Sequence, residues 1–442
     1  MNIAYLHTHD SGRYLQPYGY AVETPAIQRL AGESTLFRNA FSAAPTCSPS
    51  RAALLTGTWP HRNGMLGLAH RGFSLSHPEW HLAHYLRENG YETVLSGIQH
   101  EAADRESLAY ERILDAGGQT DPAGTESGME RDLRQAQLAG QYLRTRTEDE
   151  RPFFLSMGLF ATHRPYPEPD INPDYVRPPA HILDNPANRR DMAAYLTSAR
   201  HADRCFDIVL QALKESGAEQ NTVVILTTDH GIAFPEMKCK LTDSGIGVTL
   251  MLRYPGNPSA GNVCDALVSQ IDVFPTLCEL CGLEIPGWVS GVSLLPLLEG
   301  RQQEVNERIF AEVNYHAAYE PKRCVRTRTH KLIRRFDYHT QVVSANIDRS
   351  PAKDTLLEHG LLDQKLAREE LFDLILDPLE RVNCVDDARY RNVYEQLSRA
   401  LLDWMEAGAD PLLEVSYRIP KPPGAMVDCL ENIHPDEGRY EA

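Results

Sequence analysis

Cys47-Ser48-Pro49-Ser50-Arg51 stands immediately before the apolar run Ala52-Ala53-Leu54-Leu55, which puts a thiol and a guanidinium at the entry of a helix. A helix N-terminus offers unpaired N–H groups and positive potential, the surroundings a nucleophile needs when it attacks an anionic ester. Arg51, about one turn on, can hold both the nucleophile and a substrate anion through its paired N–H donors. A second requirement is met by two carboxylates. Asp10 lies in the polar cluster His7-Thr8-His9-Asp10-Ser11-Gly12 that follows a β-prone run from Asn2, and Asp229 closes the apolar run 223–228. Carboxylates carried on adjacent strand ends supply the charge and the constant spacing that a divalent cation requires.

The segment from Cys47 to Arg51, with Leu55-Thr56-Gly57 behind it, resembles the sulfatase signature C-x-P-x-R followed by L-T-G, in which the cysteine is oxidised to formylglycine. Residues 24–30 and 36–41 are similar to the family's T-P-N-I-D-x-L-A and F-x-N-A-Y stretches. Similarity continues through Asp229-His230-Gly231, 272–276 and 291–298, with weaker echoes at Lys331-Leu332-Ile333 and 371–374, and so covers most of residues 2–300. Within the family, 62–68 and 151–155 resemble the heparan N-sulfatase (sulfamidase) branch. The resemblance implies an enzyme that hydrolyses a sulfate ester or sulfamate, with a small N- or O-sulfated sugar as substrate and a formylglycine-generating enzyme as maturation partner.

It also implies a ligand set and a pocket, residue by residue. The family pairs Asp-Asp in the first loop and Asp-Asn in the second, where this chain has His9-Asp10 and Asp229-His230. The implied ligands of one divalent ion are therefore His9, Asp10, Asp229, His230 and the matured Cys47. Imidazoles in place of oxygen donors favour Mn or Zn over the family's usual calcium. Gly97-Ile98-Gln99-His100 resembles the G-K-W-H element: His100 is kept, as the implied base of the second half-reaction, but Ile98 replaces the lysine and one anion-binding cation is missing. Thr162-His163-Arg164-Pro165 resembles P-H-x-P and implies His163 as the general acid facing the leaving group. Lys238 matches the second cationic position, with Lys240 as the nearby alternative, and His70-Arg71 and Asn314 with His316 border the substrate end. The Asp229-His230 pair is also similar to phosphonate monoester and phosphodiester hydrolases of the same superfamily, so a phosphoryl ester stays open as substrate. A non-catalytic binding protein on this scaffold is the third reading; it predicts neither turnover nor metal dependence.

These residues need strand ends to hold them. Strand-like runs occupy 2–8, 92–95, 153–159, 223–227 and 248–252, and helical patterns at 80–88, 129–143 and 192–214 lie between them. Thr24 caps and Pro25 opens a further helix. Such alternation predicts an α/β fold with a largely parallel, doubly wound sheet, and the resemblance implies the alkaline-phosphatase-like version of it. A chain of 442 residues exceeds one ordinary core. Residues 1–300 read as the catalytic domain and 301–442 as a smaller α+β domain, with a polar connector at 301–306. The tail from Ile419, with Pro420, Pro422 and Pro423, is expected to wrap a surface or a neighbouring subunit, which leaves a homo-oligomer open.

With 61 acidic against 44 basic residues and a formal charge of −17, the field around the chain disfavours nucleic acid and anionic membranes. An anionic substrate must then meet a locally positive pocket. Nine scattered cysteines do not form a disulfide framework, and Cys278-Glu279-Leu280-Cys281 lies in an apolar helical stretch, where a buried structural role is expected. The opening apolar run, 1–6, is too short for a secretory core, and no run reaches the ~20 apolar residues of a membrane span. A cytoplasmic protein is the expectation.

Overall fold

Three uncharged runs form the centre of the molecule because both of their faces are buried. Ile3, Tyr5, Phe154, Val223 and Ile225 enter one core, and Ala4, Leu6, Phe153, Leu155, Val224 and Leu226 enter the other. Burial on both faces marks the inner strands of a sheet covered by helices on either side. The computed structural model describes residues 1–114, 127–147, 150–414 and 418–441. In chain order its strands are β1 (Asn2–His7), β2 (Thr35–Phe37), β3 (Ala40–Phe41), β4 (Glu92–Gly97), β5 (Arg112–Leu114), β6 (Phe153–Gly158), β7 (Thr222–Thr227), β8 (Leu250–Arg253), β9 (Val263–Cys264), β10 (Val268–Ser269), β11 (Arg308–Tyr315), β12 (Tyr319–Thr327), β13 (His330–Arg335) and β14 (Glu369–Asp373).

The large sheet runs β5-β4-β6-β1-β7-β8-β2-β9, and β5, β4, β6, β1 and β7 are mutually parallel. One expectation fails in part. The 248–252 run becomes strand only from Leu250, and β8 pairs antiparallel with β7 and β2. Between β7 and β8 the chain has only the four-residue helix Asp243–Ile246, so no crossover helix turns it parallel. Helices Pro25–Glu33, Gly128–Arg144 and Pro186–Glu215 cover one face, and Cys47–Thr56, Leu82–Glu88 and Val273–Cys281 the other. The predicted helix at 80–88 divides into a turn, Pro78–Trp80, and the helix from Leu82.

β11 to β14 form a second, antiparallel sheet, against which the helix Arg391–Ala407 packs Leu397, Leu401, Trp404 and Met405. The proline-rich tail lies on its own chain. Met426 N–H donates to the carbonyl of Arg71, Asp428 N–H to that of Ala317, and Arg71 pairs with Asp428 at 3.0 Å and Asp436 at 2.6 Å. Among the described residues no helix is long and apolar enough to cross a membrane.

His81 opens the Leu82–Glu88 helix and accepts the Ala83 N–H on Nδ1 at 3.2 Å. Burial pushes its pKa from 6.5 down to about 3, so below pH 6.5 the unfolded chain takes up a proton that the folded chain refuses. Folding stability should fall with pH through that window, by up to about 1.4 kcal/mol per pH unit from this residue. His81→Asn, which keeps a capping acceptor, should make the thermal midpoint less sensitive to pH between 7 and 5; an identical slope would exclude the assignment.

Candidate active site

The helix Cys47–Thr56 is buried along its whole length, so the side chains at its entry cannot be solvated and must be satisfied by the strand ends they face. Arg51 is the clearest case. Its Nε and Nη2 donate to Asp229 Oδ2 at 3.2 and 3.1 Å, Nη2 donates to the Thr8 carbonyl at 2.9 Å, and Nη1 reaches His7 Nδ1. Burial alone would lower the guanidinium's pKa, but Asp229, Tyr5 and Glu101 together outweigh it and hold it above the usual range. Arg51 therefore clamps the loop after β7 to the loop after β1. His7, which sequence reasoning passed over, is held neutral by burial and by Arg51, so Nδ1 accepts the guanidinium N–H. The ring fits because β6 has a glycine beside it: a Cβ on Gly158 would stand 2.4 Å from His7 and 2.0 Å from the Ile98 carbonyl.

Asp10 turns the chain at the end of β1 with φ +47°, a left-handed conformation that aspartate tolerates better than most residues, and its N–H donates to Asp229 Oδ1 at 2.8 Å. Ligand atoms of His9, Asp10, Cys47 and Asp229 lie within 4.8 Å of one another, all buried. His230 Nε2 is 3.3 Å from Asp10 Oδ1, 3.8 Å from Asp229 Oδ2 and 3.3 Å from Cys47 Sγ. Its Nδ1 is 3.0 Å from the Gly231 carbonyl; with the proton there, the Nε2 lone pair points into the cluster. His9 Nδ1 is 3.3 Å from Asp229 Oδ2 yet is buried without an aligned hydrogen bond. Burial, reinforced by Arg51, pushes His9 down to about 3, so its ring is neutral and has a lone pair to offer. Burial disfavours ionising the two aspartates, but His230 and Arg51 around Asp229, and Lys238, His163 and His230 around Asp10, hold both below the usual carboxylate range. Two carboxylates, the imidazoles of His9 and His230 and the nucleophile position fit a divalent cation, and the unmet His9 nitrogen is a buried ligand atom that such an ion would satisfy.

The remaining candidates converge on the same point. Lys238 Nζ donates to Asp10 Oδ2 at 2.9 Å and lies 3.5 Å from His163 Nε2, whereas Lys240 turns to Glu236. His163 Nδ1 meets the Arg164 carbonyl at 2.5 Å, leaving Nε2 toward Asp10 at 3.9 Å. A ring nitrogen of His100 is within 4.8 Å of Cys47 and His9, and its Nε2 pairs with His70 Nδ1 at 2.8 Å. Burial, His70 and Arg51 keep His100 neutral. Arg71 is instead taken by the tail, and Asn314 donates to Glu312. Asp348, from the segment between β13 and β14, lies 3.2 Å from Lys238 Nζ; no local motif marks it in the sequence.

A family model described as Sulfatase matches residues 7–283. The chain belongs to the sulfatase family. A second model, N-sulphoglucosamine sulphohydrolase, C-terminal, matches 237–353. The human N-sulphoglucosamine sulphohydrolase is 29% identical over 447 residues, 88% of this chain and 87% of that protein. An ulvan-active sulfatase of Formosa agariphila is 29% identical over 414 residues, 90% of this chain and 78% of its own. The solved structure of a 2-O GAG sulfatase superposes with a TM-score of 0.73 at 22% identity, covering 99% of both chains, which shows the shared fold. This sulfatase is a sulfuric ester or sulfamate hydrolase whose relatives include enzymes of sulfated saccharides.

Arg51→Lys keeps the charge but loses the forked grip on Asp229. It should weaken Mn²⁺ binding by roughly 10–100-fold, read by competition with a fluorescent chelator; wild-type affinity would show that the guanidinium does not orient the ligand set.

Proposed function

We propose that the protein removes a sulfo group from an N- or O-sulfated saccharide, with Cys47 matured to formylglycine and one divalent ion held by His9, Asp10, Asp229 and His230. The observation that carries this is the position of Cys47 Sγ, 3.3 Å from His230 Nε2 and 3.9 Å from Asp10 Oδ1, where the matured residue would present its oxygen. Burial pushes the Cys47 thiol well above its ordinary pKa, Lys238 notwithstanding, so the unmodified side chain is a protonated thiol and a poor nucleophile. The hydrated aldehyde with its bound cation supplies a hydroxyl acidic enough to attack sulfur near neutral pH.

The chain's own groups then have separable tasks. Arg51 keeps Asp229 facing the nucleophile. Lys238, on the opposite side of Asp10, neutralises charge on the sulfo oxygens where it resides in the transition state. His163, whose Nδ1 is committed to the Arg164 carbonyl, gives a proton from Nε2 to the departing oxygen or nitrogen. His100, neutral and backed by His70, takes the proton that must leave the nucleophile before the product sulfate is expelled. A human relative named for a sulfamate substrate, covering 87% of its length, supports N-sulfated amino sugars within this class. His9 and His230 support Mn or Zn over Ca. Nine free cysteines support a reducing compartment such as the cytoplasm.

Ile98 in place of the family lysine, together with His230, favours the phosphoryl alternative, which paired substrates address. Relative kcat/KM should favour an aryl sulfate over the matching aryl phosphate diester, and the reverse order would select the phosphoryl reading. In protein from a host with the maturation enzyme, the peptide around Cys47 should be lighter by about 18 Da, and Cys47→Ala should abolish turnover. Chelation should also abolish it, with Mn²⁺ or Zn²⁺ restoring more activity than Ca²⁺.

A further inference from the structure

The segment between β13 and β14 reaches the nucleophile's surroundings through a carboxylate whose support is far more elaborate than its own bonding. Buried Lys353 donates to the carbonyls of Ser344, Ile347 and Ile433 at 2.9, 2.7 and 2.6 Å. Asn346 accepts the Ala318 N–H at 2.8 Å, and Ser350 caps the helix Pro351–Glu358. Those contacts hold the 344–350 loop from three sides. Its Asp348 pairs with Lys238, 3.2 Å from Oδ2, with the imidazoles of His316 and His163 as its other titratable neighbours, and Oδ2 lacks an aligned hydrogen bond. Oδ1 has no hydrogen-bond partner among the described residues, and the side chain remains 23% exposed. A largely enclosed carboxylate with unused acceptors is costly unless something else donates to it.

Charge points the same way. Around the cluster, Asp10, Asp229 and Asp348 face Arg51 and Lys238, and Ile98 stands where a further cation is expected. A divalent ion would shift that local balance toward the positive charge that an anionic sulfo group requires. A carboxylate that only weakened anion binding would be a liability, so its remaining use is toward the uncharged or cationic half of the substrate.

We propose that Asp348 selects the organic part of the substrate, accepting a hydrogen bond from a hydroxyl or amino group next to the sulfo group, while its contact with Lys238 keeps that ammonium aimed at the sulfo oxygens. This rests on the sulfatase reading above and assigns the discrimination between sugar and aryl esters to one side chain. Asp348 is a specificity and positioning residue: bond-making stays with the groups already named.

The test is Asp348→Asn, nearly isosteric, assayed on 4-nitrophenyl sulfate and on the best-hydrolysed member of a panel of N- and O-sulfated glucosamines. Both substrates share any kcat loss that comes through Lys238. The sugar should in addition show a raised KM, so that its kcat/KM relative to the aryl ester falls roughly tenfold or more, the usual worth of a hydrogen bond to a charged acceptor. An equal loss on both substrates, or a greater loss on the aryl ester, overturns the proposal. Calorimetry with glucosamine itself reads the same contact without turnover. The wild-type protein should bind it at least roughly tenfold more tightly than the variant, and equal affinities, or no measurable binding to either, also overturn it. Wild-type protein inactive on every sulfate ester would refute the sulfatase reading instead, and the glucosamine comparison would still decide Asp348.

Discussion

The buried ion pair between Arg51 and Asp229 is the constraint on which the site depends. A guanidinium and a carboxylate removed from water recover their solvation only through near-complete hydrogen bonding, and here the fork is filled by Asp229, the Thr8 carbonyl and His7. Because these partners belong to the ends of β7 and β1, one side chain of the nucleophile helix sets the separation of the two metal-binding loops. The desolvation cost also makes the arrangement all-or-none: neither charge can be left unpaired in that position, so the loops cannot drift apart by degrees.

The histidines follow from the same economy of space. His7 fills the far side of the guanidinium against a glycine of β6, and His230 is fixed by its neighbour's carbonyl. Burial holds the His7 and His9 imidazoles neutral, so each offers a lone pair rather than a charge. Lys238 and Arg51, both near the nucleophile, are engaged by carboxylates.

Much of this was legible in the chain before folding. Motif spacing located Cys47, Arg51, Asp10, Asp229, His163 and Lys238, and the uncharged runs located the central strands, because both depend on neighbours in sequence. What could not be read depends on the path of the chain in space. β8 looks like any buried strand, and its antiparallel direction is decided by the absence of a crossover helix. Asp348 lies more than a hundred residues from Lys238 and carries no local pattern. The tail's prolines suggested a wrapping segment, but that its target is Arg71, next to His70 in the turn Ala69–Arg71, is a property of the folded surface. Spacing likewise does not reveal how many acceptors surround the Arg51 guanidinium.

Cys47 is sealed beneath the finished molecule, 2% exposed, in a helix with no solvent-facing side. A modifying enzyme cannot dock on a thiol in that position, so the proposed conversion has to occur on a nascent or unfolded polypeptide. The ribosome delivers residue 47 early and the strap that locks Arg71 last, which opens an interval during synthesis when the peptide is accessible and the tertiary structure is not yet closed. Catalytic competence is then a matter of timing: molecules that fold ahead of the modification would be trapped as stable, inert protein.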